Sequence, residues 1–73
     1  MTTASPASLV AAIGEMAGMV WSTLAENGPM TMAKLVKAIG EPRDTVMQAL
    51  GWLAREDKIN IVEENRSRVV SLR

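Results

Sequence analysis

The chain contains no cysteine and no histidine. Without cysteine there is no disulfide and no thiolate metal site. Without histidine the usual general base and the commonest metal ligand are both missing. A catalytic centre would have to be built from carboxylates, lysines, hydroxyls and amides, and no spacing of these suggests one. No enzymatic activity, metal or cofactor is therefore expected. Phenylalanine and tyrosine are also absent, which leaves two tryptophans as the only aromatics, expected to anchor the core or an interface. Long hydrophobic runs are lacking as well. The longest, Leu9 to Ala25, is interrupted by Glu15, Ser22 and Thr23, and it is short and weakly hydrophobic for a membrane span. The opening MTTASPAS has no basic segment of the kind a signal peptide carries. The lack of cysteine fits a reducing compartment, so a cytoplasmic location is expected.

Neither sign of charge is in excess, with eight basic against eight acidic residues. That bears on partners, because nonspecific nucleic-acid binding draws on many Lys/Arg–phosphate contacts. The distribution is uneven, however. Residues 1–33 carry Glu15 and Glu26 and no basic side chain, whereas residues 34–73 carry all the lysines and arginines. The C-terminal half is mildly basic, short of a basic stripe. At 73 residues the chain is one domain with a modest core.

What is present has a readable order. Residues 1–7 read as a disordered tail, and residues 8–73 as the folded domain. Leu9, Ile13, Met16/Ala17, Val20 and Leu24 recur at helical spacing, with Trp21 alongside, which predicts a helix over about 8–27 capped by Ser8. Asn27-Gly28-Pro29 stops it. Met30 suits a very short strand, and Thr31 caps a second helix over about 32–39, ended by Gly40. Glu41-Pro42 opens a third helix with a buried stripe of Val46, Ala49, Leu50 and Leu53, ending near Asp57. Ile59 and Ile61 share one strand face, and Val70 and Leu72 share one face of a second strand. A hairpin centred on Asn65-Arg66 pairs Ile61 with Val70, Ile59 with Leu72, Val62 with Val69 and Glu63 with Arg68. Each pair matches in kind, which supports that register. A tight primed turn prefers glycine where Arg66 stands, so a four-residue loop, Glu64 to Ser67, is the alternative.

This order predicts a mainly α domain with a small β-hairpin: a winged helix-turn-helix, with a three-helix core and a two- to three-stranded wing. IGEMAGMVW in helix one, GPMTMAKLVKAIG in helix two, and GWLAREDKI after TVMQAL resemble the small stand-alone bacterial winged helix-turn-helix domains of unknown function. The likeness covers roughly residues 11–72. It implies a winged helix, in bacteria and dimeric in some cases, and no catalytic residue.

Three surfaces are candidates. In a DNA-reading helix-turn-helix the N-terminal part of the second helix of the motif enters the major groove. There Arg43 is suited to guanine, Gln48 to adenine, and Thr45 to a phosphate or a cap. Lys34 and Lys37 would flank the backbone, and Arg66 and Arg68 on the wing would reach adjacent phosphate or minor groove. The bland alternative is a solvated face, since Glu41 and Asp44 sit where phosphates would come close. The second candidate is a homodimer or partner surface built from Gly14, Gly18, Trp21, Trp52, Val62 and Val69. Its alternative places both tryptophans in the monomer core and the glycine pair in tight packing within one chain. The third is the cluster Arg55, Glu56, Asp57 and Lys58, read as solvated charges at a helix end. Gly51 weakens a helix, so close approach of a neighbour is expected beside it. The functional expectation is double-stranded DNA binding by a small transcription regulator, with no membrane and no small-molecule ligand. The rival class is an interaction or assembly module with the same fold, marked by exposure of Trp52 or the valine pair.

Overall fold

The computed structural model describes residues 6–73, with side chains from Leu9 onward. The expected tail at residues 1–5 lies outside the described residues. Six elements follow in chain order: α1 (Pro6–Asn27), β1 (Met30–Thr31), α2 (Met32–Ile39), α3 (Arg43–Arg55), β2 (Ile59–Glu64) and β3 (Ser67–Leu72). Helix α1 begins at Pro6, two residues before the expected Ser8 cap, which suits a residue with no N–H to leave unpaired in a first turn. At its other end Asn27 Nδ2 donates to the Thr23 carbonyl, and the Gly28 N–H, in left-handed backbone, donates to the Leu24 carbonyl at 2.8 Å.

Helix α2 is closed at both ends. The Thr31 hydroxyl accepts the Lys34 N–H at 3.2 Å, and Gly40, at φ 73°, returns its N–H to the Val36 carbonyl. Helix α3 has no side-chain cap at Pro42; instead Asp44 stands in its first turn, favourable for the helix dipole, and accepts the Thr45 N–H. Its end is a Schellman motif: the Asp57 N–H bonds the Ala54 carbonyl and the Lys58 N–H bonds the Leu53 carbonyl. Asp57 takes the left-handed position, at φ 63°, that glycine commonly fills, and it forms an ion pair with Arg73. The acid at the unfavourable end of the helix thus has a partner, Arg73, which follows directly on β3.

The strands form one antiparallel sheet in the order β1-β3-β2. The hairpin register is the one matched by residue type: Ile59↔Leu72, Ile61↔Val70, Val62↔Val69 and Glu63↔Arg68. Asn65 and Arg66 are the two turn residues, with φ of 46° and 68°. This is the tight primed turn and not the four-residue loop, with an arginine where glycine is favoured. Strand β1 completes the sheet by pairing Met30 with Val70.

The core gathers Met16, Ala17, Val20 and Leu24 of α1, Leu35 of α2, the α3 stripe Val46, Ala49, Leu50 and Leu53, and Ile59 and Val70 of the sheet. It contains neither tryptophan. Trp21 is 45 % exposed and Trp52 39 % exposed, which excludes the alternative that places both in the monomer core. The physical reason is angular: Trp21 and Trp52 sit one residue, about 100°, from buried Val20 and Leu53. Ile61 also departs from expectation. It shares a face with buried Ile59, but it lies farther out on edge strand β2 and is 42 % exposed.

Candidate nucleic-acid interface

Two concave surfaces flank the helix-turn-helix. The first lies between the start of α3, the start of α2 and the wing. Thr31, Met32, Ala33, Arg43, Glu63, Arg66, Ser67 and Arg68 line it, around a volume of about 380 Å³. Three arginines from two distant parts of the chain therefore share one groove with a single glutamate. Strand order causes this: β3 is central, so the wing folds back beside β1 and the first turn of α2. Among the described residues the only ion pair is Arg73–Asp57, so none of the three groove arginines forms one, although Glu63 lines the same groove and stands opposite Arg68 in the hairpin.

The remaining residues of the expected DNA surface are spread more widely. Lys34 and Lys37 are exposed on α2, outside the groove lining. Thr45 is half-buried, with its N–H taken by Asp44. Gln48 is exposed on α3, one turn beyond Asp44, and Glu41 does not line the groove. Glu63 is the acidic member of the groove. Its position was implicit in its pairing with Arg68, because cross-strand neighbours share a sheet face.

The second groove runs along α1 and the end of α3. Gly14, Ala17, Gly18, Trp21 and Ser22 form one wall; Trp52, Leu53, Asp57, Lys58 and Arg73 form the other. A methyl group placed on Gly14, Gly18 or Gly51 would meet nothing within 4 Å. This corrects two expectations. The glycine pair is not packed tightly inside the monomer, and no neighbour closes on Gly51; all three face open space because the core stripe of each helix lies to one side of them. Val62 is 51 % exposed, and Val69 is half-buried on the inner strand. Gly51→Ala is accordingly expected to stabilise the monomer by about 1 kcal/mol, read as a higher midpoint in urea, because it removes a glycine from a helix interior without adding a clash.

Comparison with known proteins places this geometry. The fold matches the crystal structure of a Zalpha domain from Carassius auratus PKZ in complex with Z-DNA, with a TM-score of 0.73 and 26 % sequence identity over 85 % of this chain and 98 % of that one. The uncharacterized protein MJ1608 of Methanocaldococcus jannaschii is 36 % identical over 64 residues, covering 84 % of this chain and 90 % of the relative. That relative is archaeal, where the resemblance drawn from the sequence pointed to bacteria. The winged helix-turn-helix model DUF2582 matches residues 4–72, nearly the whole length. With three helices, a three-stranded wing and this match, the chain belongs to the DUF2582 family of winged helix-turn-helix domains, a non-enzymatic fold.

Proposed function

We propose that the domain binds double-stranded DNA as a small transcription regulator, gripping the duplex between the first turn of α3 and the wing. One observation carries this reading: Arg43, Arg66 and Arg68 converge on one groove that holds a single carboxylate, Glu63, in a chain whose net charge is zero. Basic residues gathered on one face are the electrostatic footprint of a nucleic-acid site, where the same residues scattered would not be. The Z-DNA complex of the Zalpha neighbour supports the same partner class for this fold. The proposed site is Arg43, Arg66 and Arg68, with Lys34, Lys37, Thr45 and Gln48 around it. A cytoplasmic location is part of the same proposal; among the described residues no helix is long and apolar enough to cross a membrane. In a fluorescence-anisotropy titration with a labelled duplex at low salt, Arg43→Ala is expected to weaken binding about tenfold, the order of one lost phosphate contact. Unchanged affinity would remove Arg43 from the site.

A second reading, compatible with the first, is that the chain is a homodimer. The observation behind it is the exposure of both tryptophans beside the open glycine face of α1. Trp is enriched at interface cores, and pairing would let a small domain bury more apolar surface. Gly14, Ala17, Gly18 and Trp21 fall on one helical face, so the second copy would sit along α1, reaching Trp52. Sedimentation at high concentration should give twice the 7.9 kDa chain mass. Gly18→Leu, which adds a side chain into open space and favours the helix, should return the monomer mass without loss of fold. A wild-type monomer at every concentration would contradict the dimer. If no duplex binds while this face captures a partner protein, the interaction-module reading replaces the DNA one.

A further inference from the structure

We infer that the groove recognises the phosphate backbone of duplex DNA and does not read its bases, and that Arg66 is held at the wing tip for that contact. The inference rests on the DNA reading above and gives it a ligand chemistry. Direct reading of a major groove uses three or four side chains from the helix that enters it. Apart from Arg43, which lines the groove with the wing arginines, the face α3 presents is poor in them. Asp44 is a carboxylate engaged with the Thr45 N–H, Thr45 and Met47 are half-buried, and Gly51 has no side chain. Gln48 is the one neutral amide left on that face. The groove itself is built differently. Its three guanidiniums are planar forks suited to phosphate oxygens, and they come from the helix start, the wing turn and strand β3.

Arg66 adds an independent observation. Its backbone lies at φ 68°, in the second position of a two-residue turn where glycine is unstrained and an L side chain is not. The side chain lines a groove with two other arginines and no ion-pair partner. Within the chain, then, Arg66 is unfavourable in conformation, and its exposed charge has no ion-pair partner. A phosphodiester in the groove supplies the ion-pair partner that the chain does not, and three of them match three arginines. Backbone strain at a residue that also faces a charged site points to a ligand contact.

The test is anisotropy on the 73-residue chain with several duplexes of unrelated sequence and a random-sequence pool, each over a series of salt concentrations. The dissociation constants are expected to agree within about tenfold, and the slope of log K against log salt to be about −2.7 per bound chain, for three phosphates. Arg66→Gly should move the slope to about −1.8 and weaken binding about tenfold. The same substitution should raise the melting temperature by about 4–8 °C, because the turn then carries its favoured residue. That pairing of weaker binding with a more stable fold separates a ligand contact from a structural role. One duplex bound far more than tenfold tighter than the rest would overturn backbone reading while leaving DNA binding intact. Unchanged affinity and slope in Arg66→Gly would overturn the role of Arg66. Failure of every duplex to bind would overturn the DNA reading itself, and this inference with it.

Discussion

Leu35→Ala is expected to destabilise the domain by about 3 kcal/mol, within the range of cavity-forming substitutions at buried leucines. Leu35 is wholly buried, and it is the only fully buried residue that α2 contributes. An eight-residue helix has no stability of its own, so its packing depends on that side chain. Total stability for a chain of this length is on the order of 4–11 kcal/mol, so the loss is a large share of it. The thermal midpoint should fall by more than ten degrees, roughly, and the urea midpoint with it, with the m-value little changed. Leu35→Met, which keeps most of the volume, should cost less than about 1.5 kcal/mol. Equal loss in both variants would mean that shape at this site, and not buried volume, holds α2 in place. Loss of α2 would also take Thr31 and Ala33 out of the basic groove, so DNA binding should fall along with the fold.

The second large effect is electrostatic. Neutralising two groove arginines together, Arg43→Gln with Arg68→Gln, is expected to weaken duplex binding roughly 100-fold at about 50 mM salt, since two of three phosphate contacts and their counterion release disappear. The fold should survive. Both side chains are exposed, and the cross-strand pairing of Arg68 with Glu63 is worth at most about 1 kcal/mol. Folding is checked by the unfolding midpoint of the same protein. A control pair on the opposite flank, Arg55→Gln with Lys58→Gln, removes the same charge from the Trp52 side and should change affinity only about twofold, through the general field. If both pairs weaken binding equally, long-range charge and not the groove holds the DNA.

Residue patterning carried the fold a long way. The hairpin register followed from matching kinds across the strands, Ile61 with Val70 and Glu63 with Arg68, since a one-residue slip would turn every side chain to the wrong face. The α2 caps followed from Thr31 and Gly40, whose roles are local. The turn was harder. Its composition argued against a primed turn, yet strand pairing imposed one, so long-range pairing overrode local preference at Arg66. The tryptophans stayed open between core and partner surface for a related reason. Periodicity locates a stripe, but its edge is uncertain by one residue, and a wholly buried Val20 adjoins a half-open Trp21.

Of the candidate site, the identity of the basic residues was legible, but their meeting was not. Arg43 and Arg66 come together only through the order β1-β3-β2, which no local pattern encodes. Lys34 and Lys37 were grouped with them as outward-facing residues that would flank the DNA backbone, and the groove leaves both outside its lining. The Arg73–Asp57 ion pair depends on where β3 ends, so a reading that saw a lone charge cluster at the end of α3 could not supply it. Gly51 has no structural explanation within the single chain.

The central claim is that the groove between α3 and the wing is where DNA sits. It is tested most directly by amide chemical shifts of the labelled protein during titration with a generic duplex at low salt. The prediction is a saturating set of shifts confined to Ala33, Arg43, Asp44 and Glu63 to Arg68, with the Gly14–Trp21 face and Trp52 undisturbed. Shifts confined to that second face, or no shifts at all at millimolar duplex, would contradict it.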